Sequence, residues 1–448
     1  MSVQSLQVKN YDVVVVGAGP GGLTAAIVAG KAGLKTAIVE RNAFVAGTIN
    51  TGLCVHGFED GNGRRVIGGK SWELISRCVA AGGSVGPTRL IGSHMYSTTP
   101  VDMAILQTCA VDMLEEAGVD LWLHTLMTEP VVDHDRLLAV RAWGNSGEFE
   151  FRARTFIDAT GHADLAYRAG VPTRDGRVGD GAMQPMSLGL TMAPVDLDRM
   201  MAAIGAGYGK ARKPHTDKED FVWFTLVFKH WEKELEEIGL RFGKAGACWG
   251  NSIYPGIVNL NAVKVIGKDG ADTVQLSQAE VQARRTAVLF TRFLRERIPG
   301  FEDAHMVRVA PFIGIRETRH IEGLYEISSD DAVQGRIPED SIALCGYPVD
   351  IHDPKDGVAE FQQIANGRFG IPYRTLVPKN IRNLLVSGRG ISASDVAFGS
   401  LRVMGQCLAF GEACGTATVL AQHEDVDVSE LDGRRVREIL EREGAMIM

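Results

Sequence analysis

Four consecutive valines, Val13–Val16, form the first apolar run of the chain. A short continuous run of β-branched residues is typical of a strand that is buried on both faces of a parallel sheet. Glycines follow, small residues recur at helical spacing over Leu23–Ala32, and a second apolar run occupies Thr36–Val39. This succession predicts one βαβ unit at the start of the chain.

The same patterns predict further elements along the chain. Strands are predicted at Val119–His124, Leu137–Ala142, Phe149–Asp158, Met186–Met192 and Asn383–Val386. Helices are predicted at Lys70–Val79, Val101–Glu116, Phe221–Ile238, Ser277–Arg297 and Ser400–Ala421.

The character of the pattern changes near Gly170, which predicts a second domain inserted into the first. We expect a first domain made of residues 1–170 and 336–425, an inserted domain over 171–335, and a charged tail with a surface helix over 426–448. No internal repeat or extended linker separates these parts, so the domains should be interwoven.

The composition is that of an ordinary globular protein. The 448 residues are 45% hydrophobic and 23% charged, and 47 basic against 55 acidic residues give a net charge of -8. This balance provides no electrostatic basis for binding nucleic acid or an anionic membrane. The 52 glycines exceed the average share and indicate close approach of the backbone to a ligand.

The seven cysteines favour neither a disulfide framework nor a metal centre. Their number is odd, no pair is spaced C-x-x-C, and no cysteine or histidine group has zinc or iron–sulfur spacing. No apolar stretch is long enough to span a bilayer, and the first ten residues lack the pattern of a signal peptide. We therefore expect a cytoplasmic protein with no bound metal.

The segment Gly17–Gly22, GAGPGG, fits the dinucleotide-binding pattern G-x-G-x-x-G between a buried strand and a helix. Gly17 would allow the tight turn, Gly19 would let the backbone approach a pyrophosphate, and Gly22 would permit close packing of helix on strand. The anion would lie at the helix N-terminus. Glu40 directly follows the second strand, and its carboxylate could bind a ribose hydroxyl.

NAD and FAD both use this pattern, and two distant segments favour FAD. Phe156–Gly161 (FIDATG) is a strand that ends in a turn of small residues, and Asn383–Ser394 (NLLVSGRGISAS) is a strand followed by glycine and arginine. With the N-terminal pattern, they resemble the FAD domain of glutathione-reductase-type flavoproteins. The chain over 312–421 is similar to the FAD-dependent oxidoreductase family, as are Tyr11–Arg41 and Ala279–Phe301.

The resemblance implies an α/β fold with a Rossmann-like FAD domain and an inserted α+β cap domain. It also implies that Gly388 and Arg389 contact FAD, and that Gly399–Arg402 brings a helix start to the pyrimidine edge of the flavin. Ser400 would cap that helix, whose positive end would stabilise the anionic reduced flavin. The candidate cofactor residues are Gly17, Gly19, Pro20, Gly21, Gly22, Glu40, Arg41, Gly47, Thr48, Ala159, Thr160, Gly161, Asp164, Gly388, Arg389, Ser400, Leu401 and Arg402.

Asp350 and His352, within YPVDIHDP, are the first candidate catalytic pair. Histidine exchanges protons near neutral pH. If the segment is extended, both side chains lie on one face. The alternative is a turn in which the two side chains bind backbone groups. Arg316 and His320 would likewise share a face and hold a substrate carboxylate, or else belong to a structural ion-pair network.

Cys54, two residues from His56, offers a thiolate for disulfide chemistry or a simple packing residue.

Together the residues predict an FAD-dependent oxidoreductase that exchanges a hydride with a small organic substrate and an unidentified electron acceptor or donor. The alternatives are an NAD(P)H-dependent flavoprotein reductase or monooxygenase, and a flavin-binding protein without turnover. A role on nucleic acid or at a membrane is not expected, and homo-oligomerisation is left open.

Overall fold

The computed structural model describes residues 6–90, 93–212, 221–240 and 247–447. A parallel sheet of five strands lies within the segments that the sequence predicts as the first domain. Its strands, in spatial order, are Leu384–Val386, Thr155–Asp158, Val13–Val16, Thr36–Val39 and Asp120–Trp122. The four valines are at most 3% exposed, because both faces of the strand are covered. Val13 and Val15 pack in a core with the helices Pro20–Lys31 and Met404–Glu424, whereas Val14 and Val16 pack in a second core with strand residues such as Phe149 and Phe151.

The predicted βαβ unit is confirmed. The helix Pro20–Lys31 follows the first strand and packs along the helix Met404–Glu424. Their backbones come very close, since a Cβ at Gly411 would lie 1.9 Å from the Gly21 carbonyl oxygen. The small residues of both helices are therefore required by this contact.

A second, antiparallel sheet of six strands lies within the segment that the sequence predicts as inserted. Its strands, in spatial order, are Gly209–Arg212, Val222–Val227, Ala247–Ser252, Val258–Val265, Met186–Ala193 and His305–Val309. The helix Thr273–Arg297 begins at Asp272, whose side chain accepts a hydrogen bond from the Gln275 amide. This helix packs on the sheet and closes a hydrophobic core separate from that of the first domain.

Shorter elements complete the fold, which is a mixed α/β architecture. A four-stranded sheet contains Gln7–Asn10, Gly147–Arg152, Arg136–Gly144 and Leu126–Asp133. The remaining strands are Val55–His56, Thr88–Arg89, Ser97–Thr99, Thr173–Asp175, Arg319–Ile321, Ser341–Cys345, Val349–His352, Ala359–Gln362 and Phe369–Pro372. The other α-helices are Gly69–Ala80, Met103–Glu116, Asp164–Arg168, Leu197–Ala203, Glu232–Glu237, Ser329–Val333, Asp395–Leu401 and Gly433–Arg442. Single helical turns lie at Gly47–Thr51, Ile204–Tyr208, Lys229–Trp231, Ala365–Gly367, Tyr373–Thr375 and Val428–Glu430.

Three predicted elements are wrong in type or extent. The segment predicted as a helix from Phe221 begins instead with the strand Val222–Val227, because its sequence VWFTLV is β-branched and aromatic and pairs with Ala247–Ser252. The strand predicted over Phe149–Asp158 divides at residues 153 and 154, and its two halves join different sheets.

The long helix predicted from Ser400 is two helices. Asp395–Leu401 is capped by Ser394, and the extended backbone of Val403 (ψ 152°) separates it from Met404–Glu424. Ser400 therefore lies in the last turn of the first helix and caps nothing. Within the described ranges, no helix is long and apolar enough to cross a membrane.

Candidate active site

Two adjoining cavities lie beside the parallel sheet. The first cavity, about 150 Å³, opens at the carboxyl ends of the parallel strands. The second cavity, about 160 Å³, extends from it towards the six-stranded sheet. Thr48, Ile315, Arg389 and Arg402 line both. The two cavities therefore lie side by side and share part of their walls.

The glycine turn at the first cavity is fixed by the backbone of a neighbouring strand end. Gly17 has φ +100°, and a Cβ there would lie 2.4 Å from the Ala159 carbonyl oxygen. A Cβ on Gly22 would lie 1.8 Å from the Gly17 carbonyl oxygen, so Gly22 lets the helix pack on the strand. At Gly19 the nearest atom would be 3.9 Å away, which leaves its side facing the cavity free for a close-lying ligand.

Glu40 stands beside this turn and binds the protein with both carboxylate oxygens. One oxygen accepts a hydrogen bond from the Ala18 amide at 2.7 Å. The other accepts from the Asn42 amide at 2.8 Å and from its side-chain nitrogen at 2.6 Å. Because each carboxylate oxygen can accept more than one hydrogen bond, Glu40 can hold the turn and still meet a hydroxyl.

The structure brings most of the candidate cofactor residues together. The following line the first cavity: Gly17, Gly19, Pro20, Gly21, Glu40, Arg41, Gly47, Thr48, Ala159, Thr160, Gly161, Asp164, Gly388, Arg389 and Arg402. Gly22, Ser400 and Leu401 do not. Gly22 acts in packing, as above, whereas Ser400 and Leu401 are buried inside their helix.

The helix start expected at Ser400 lies four residues later. Arg402, Val403 and Met404 line the second cavity, and Met404 begins the long helix. The N-terminal end of that helix, rather than Ser400, faces the cavity. Its partial positive charge favours negative charge there.

Asp350 and His352 lie on one wall of the second cavity. Both belong to the strand Val349–His352, which pairs with Ala359–Gln362, so alternation places their side chains on one face. His352 Nε2 lies 3.3 Å from Asp350 Oδ1. Arg402 holds the same residue from the other side, with Nη2 3.2 Å from Oδ2 and 2.7 Å from the carbonyl oxygen. Tyr347 donates its hydroxyl to Oδ2 at 3.1 Å.

This environment lowers the pKa values of both Asp350 and His352. Burial opposes ionisation of Asp350, but the charges of His352 and Arg402 beside it hold the pKa of Asp350 well below its usual range. Burial and the positive charge of Arg316 lower the pKa of His352 to about 4. The near-neutral value expected from the sequence is therefore wrong, and His352 is a neutral ring at pH 7. With a proton on Nε2 facing Asp350, Nδ1 is left as an acceptor, and it has no hydrogen-bond partner in the described chain.

Arg316 and His320 occupy different places, contrary to the expectation that they share a face. Arg316 lines the second cavity and donates to the Pro185 carbonyl at 2.5 Å and the Ser187 hydroxyl at 2.8 Å. His320 lies 3.2 Å from Glu317 and packs edge-on against Phe398, lining neither cavity. The reason is that only Arg319–Ile321 is extended strand, so alternation does not reach back to Arg316.

The hypothesis of an activated thiolate at Cys54 is wrong. Cys54 and His56 both line the second cavity, but burial raises the pKa of the Cys54 thiol to about 12. Burial also lowers the pKa of His56 to about 4, so it carries no charge at neutral pH that could stabilise a thiolate.

Several residues of the second cavity were not predicted, and most have no local pattern that marks them. Lys264 is an exception, since it and Asn261 are polar residues in the buried strand Val258–Val265. They face the same cavity although they are three residues apart, because the pairing of this strand skips Ala262. A bulge of this kind re-aims side chains, and strict alternation cannot anticipate it.

Comparison with known proteins gives a family match over nearly the whole chain. The family model described as FAD dependent oxidoreductase matches residues 12–440. A digeranylgeranylglycerophospholipid reductase of Picrophilus torridus is 26% identical over 168 residues, which are 34% of this chain and 39% of that protein. Dihydrolipoyl dehydrogenase 3 of Pseudomonas aeruginosa is 56% identical over 45 residues, 10% of each chain. The chain thus matches only about two fifths, or one tenth, of these relatives' own lengths.

Solved structures show a similar fold over a much larger share of the chain. The flavin-dependent brominase Bmp2 has a TM-score of 0.51 at 13% identity, covering 97% of this chain and 83% of that one. A triple mutant of the same brominase gives 0.51 at 14% identity, with 96% and 84% covered. At this level of identity the likeness concerns the fold alone.

Proposed function

Because this chain belongs to the FAD dependent oxidoreductase family, we propose that it exchanges a hydride between bound FAD and a small organic substrate held in the second cavity. The chain is an enzyme and FAD is its cofactor. The reaction and the residues that carry it are the proposal. The observation that carries it is the Asp350–His352 pair, which lies on the wall of a cavity that shares four lining residues with the first one.

The first cavity suits FAD. The glycine turn leaves Gly19 open to a pyrophosphate, and the N-terminus of Pro20–Lys31 follows it directly. Glu40 would bind the adenosine ribose. Arg389 lines both cavities and has a buried Nη1 without a hydrogen-bond partner in the described residues, so it has a donor available for a polar edge of the cofactor. The glutathione-reductase type of this domain stays a prediction.

Bound FAD supplies the two-electron chemistry of hydride transfer. The chain supplies the proton chemistry and the orientation. Oxidation at a carbon that bears a hydroxyl or amine releases a proton as well as a hydride, and the unpartnered Nδ1 of His352 can accept that proton. Asp350 faces the other ring nitrogen, so it can fix the tautomer and stabilise the charged ring.

Arg402 completes the arrangement as a positioning residue for Asp350. Its guanidinium binds both the carboxylate and the carbonyl of Asp350, which fixes the strand end on which the pair stands. It also lines both cavities, as does the beginning of the long helix next to it in sequence. Positive charge at this junction would stabilise negative charge that develops on a reduced ring.

A disulfide reductase is not favoured by these cavities. All seven cysteines are free and buried, and the one considered for catalysis, Cys54, has a raised pKa. A thiol held in this state is a poor nucleophile.

Anaerobic reduction tests the proposal. The FAD-loaded protein would be mixed with small metabolites in turn, and separately with NADH and NADPH, while the visible flavin absorbance is followed. We expect at least one organic metabolite to bleach the flavin, and His352→Ala to retain FAD but react more slowly. Rapid bleaching by NADPH alone, with no metabolite active, would contradict the proposal and favour a reductase or monooxygenase.

A further inference from the structure

The charged groups that line the second cavity are unbalanced. They comprise Lys264, Arg316, Arg389 and Arg402, against one carboxylate, Asp350. Asp350 is already matched by Arg402 at 3.2 Å, and Arg389 also faces the first cavity. Lys264 and Arg316 therefore remain as cations in excess of the one carboxylate.

The hydrogen bonds of these two cations go to neutral groups. Lys264 donates to the Gly357 carbonyl at 3.0 Å, and Arg316 donates to a carbonyl and a hydroxyl. In the described chain neither forms a salt bridge with a carboxylate. The two cations repel each other. Burial and the charge of Arg316 lower the pKa of Lys264 to about 8. An anion between them would relieve this repulsion.

A band of aromatic rings follows the wall of the same cavity. Neighbouring ring centroids along the band are 5.5, 6.1, 6.1, 5.2 and 3.4 Å apart. In order, its members are Tyr347, His56, Trp223, Trp249, His94 and Phe361. A surface built of ring faces and edges favours a flat apolar group at stacking or edge distance.

The indole of Trp223 adds a directional element to this band. Trp223 is 4% exposed, lines the cavity, and its Nε1 has no hydrogen-bond partner in the described residues. Because an indole nitrogen can only donate, the unsatisfied group calls for an acceptor on the ligand. Leaving such a buried donor unpaired is costly.

We infer that the substrate of this cavity is a small aromatic carboxylic acid, with its carboxylate bound by Lys264 and Arg316 and its ring lying along the aromatic band. This inference rests on the proposed function, because it takes the second cavity to be the substrate site. It adds Lys264 and Trp223 as residues that determine specificity. A long uncharged isoprenoid would bring no anion to the two cations and would leave the indole donor without an acceptor, so that class is disfavoured.

Binding to the FAD-loaded protein separates these substrate classes. Benzoate, phenylacetate and 3-phenylpropionate would be titrated by calorimetry and by the visible flavin spectrum. Benzamide serves as the uncharged analogue, cyclohexanecarboxylate as the non-aromatic one, and farnesol as the isoprenoid. We expect at least one aromatic acid to bind about 10-fold or more tightly than benzamide, since a charge-assisted hydrogen bond is lost in the amide.

Variants test the residues. Lys264→Met and Arg316→Met should each weaken the aromatic acid by about 10- to 100-fold while FAD content is kept, and Lys264→Arg should restore part of the affinity. Trp223→Leu should weaken aromatic acids more than cyclohexanecarboxylate. Lys379→Met makes the same chemical change at an exposed residue paired with Glu322, and it should have no effect.

Three results would overturn the inference: no binding by any of the aromatic acids, equal binding of benzamide, or binding of farnesol in their place. If a metabolite reduces the flavin but no aromatic acid binds, the proposed oxidoreductase function stands and the substrate class fails. If the aromatic acids bind with the expected variant pattern but no metabolite reduces the flavin, the ligand class stands and the hydride exchange fails.

Discussion

The two cavities of this protein are built in different ways. The first is shaped mainly by backbone at the ends of neighbouring parallel strands, with glycines where a Cβ would strike a carbonyl. The second is shaped by side chains that come from many separate segments between residues 48 and 404. A site made from backbone turns leaves a short, continuous pattern in the sequence, whereas a site made from converging side chains leaves almost none.

The difference also extends to charge. In the first cavity the main acidic group, Glu40, is held by hydrogen bonds from neighbouring amides. In the second cavity the ionisable groups act on one another, and the pKa values of Asp350, His352 and Lys264 are all displaced. Burial also lowers the pKa values of His162 and Arg389 at the first cavity, so displaced pKa values alone do not separate the two cavities.

Two glycine substitutions should give the largest effects and separate folding from cofactor binding. Gly22→Val places carbon atoms against the Gly17 carbonyl, so we expect no folded protein. Gly19→Val has room within the protein but fills the space beside the turn, so we expect a folded protein that purifies without FAD. Circular dichroism and flavin content measure the two outcomes. A Gly19→Val protein with normal FAD would show that the first cavity is not the cofactor site.

Replacing histidines inside and outside the second cavity tests whether its side chains carry the chemistry. His352→Ala should retain FAD and slow flavin reduction by substrate by roughly 100-fold or more, the usual effect of losing an acid–base group. His320→Ala makes the same change at a buried residue that lines neither cavity, and its rate should stay close to that of the wild type. Equal rates for the two variants would remove His352 from catalysis.

The lowered pKa of His352 predicts a pH dependence of stability. As pH falls below about 6.5, the unfolded chain takes up the proton first, because the folded protein holds this ring neutral until about pH 4. The free energy of unfolding should therefore fall as pH drops from 6.5 to 4, with His352 contributing on the order of 3 kcal/mol. In urea titrations, His352→Gln should show a shallower fall, and His134→Gln, at an exposed residue, should follow the wild type. Parallel curves for wild type and His352→Gln would contradict the burial of a neutral ring.

The smallest effects are expected at two serines, one that caps the helix Asp395–Leu401 and one within it. Ser394→Ala removes the cap of the helix Asp395–Leu401 and should lower the free energy of unfolding by about 1 kcal/mol. Ser400→Ala removes a buried hydroxyl with no partner in the described chain, so stability should stay the same or rise slightly. Thermal unfolding distinguishes the two. A larger loss at Ser400 would contradict the absence of a hydrogen-bond partner for its hydroxyl.

The contrast between backbone turns and converging side chains also explains which features could be predicted from the sequence. The βαβ unit and the candidate cofactor residues were accessible because strand, glycine turn and helix are consecutive in the chain. Asp350 and His352 were found because they stand two apart on one strand. Trp223 and Trp249 were not, since nothing local distinguishes a cavity side chain from a core or surface one, and Lys264 was missed although it is a polar residue in a buried strand. Ser400 was misplaced because the break at Val403 depends on the packing of two helices, which local pattern does not record.

The most direct test of the account is a crystal structure of the protein with FAD bound. We expect the adenosine end beside Glu40, the pyrophosphate at Gly19, and the flavin ring where the two cavities meet, next to Arg389 and Arg402 and open to His352. A flavin ring that points away from the second cavity, or a nucleotide bound elsewhere, would contradict the central claim that the two cavities form one active site.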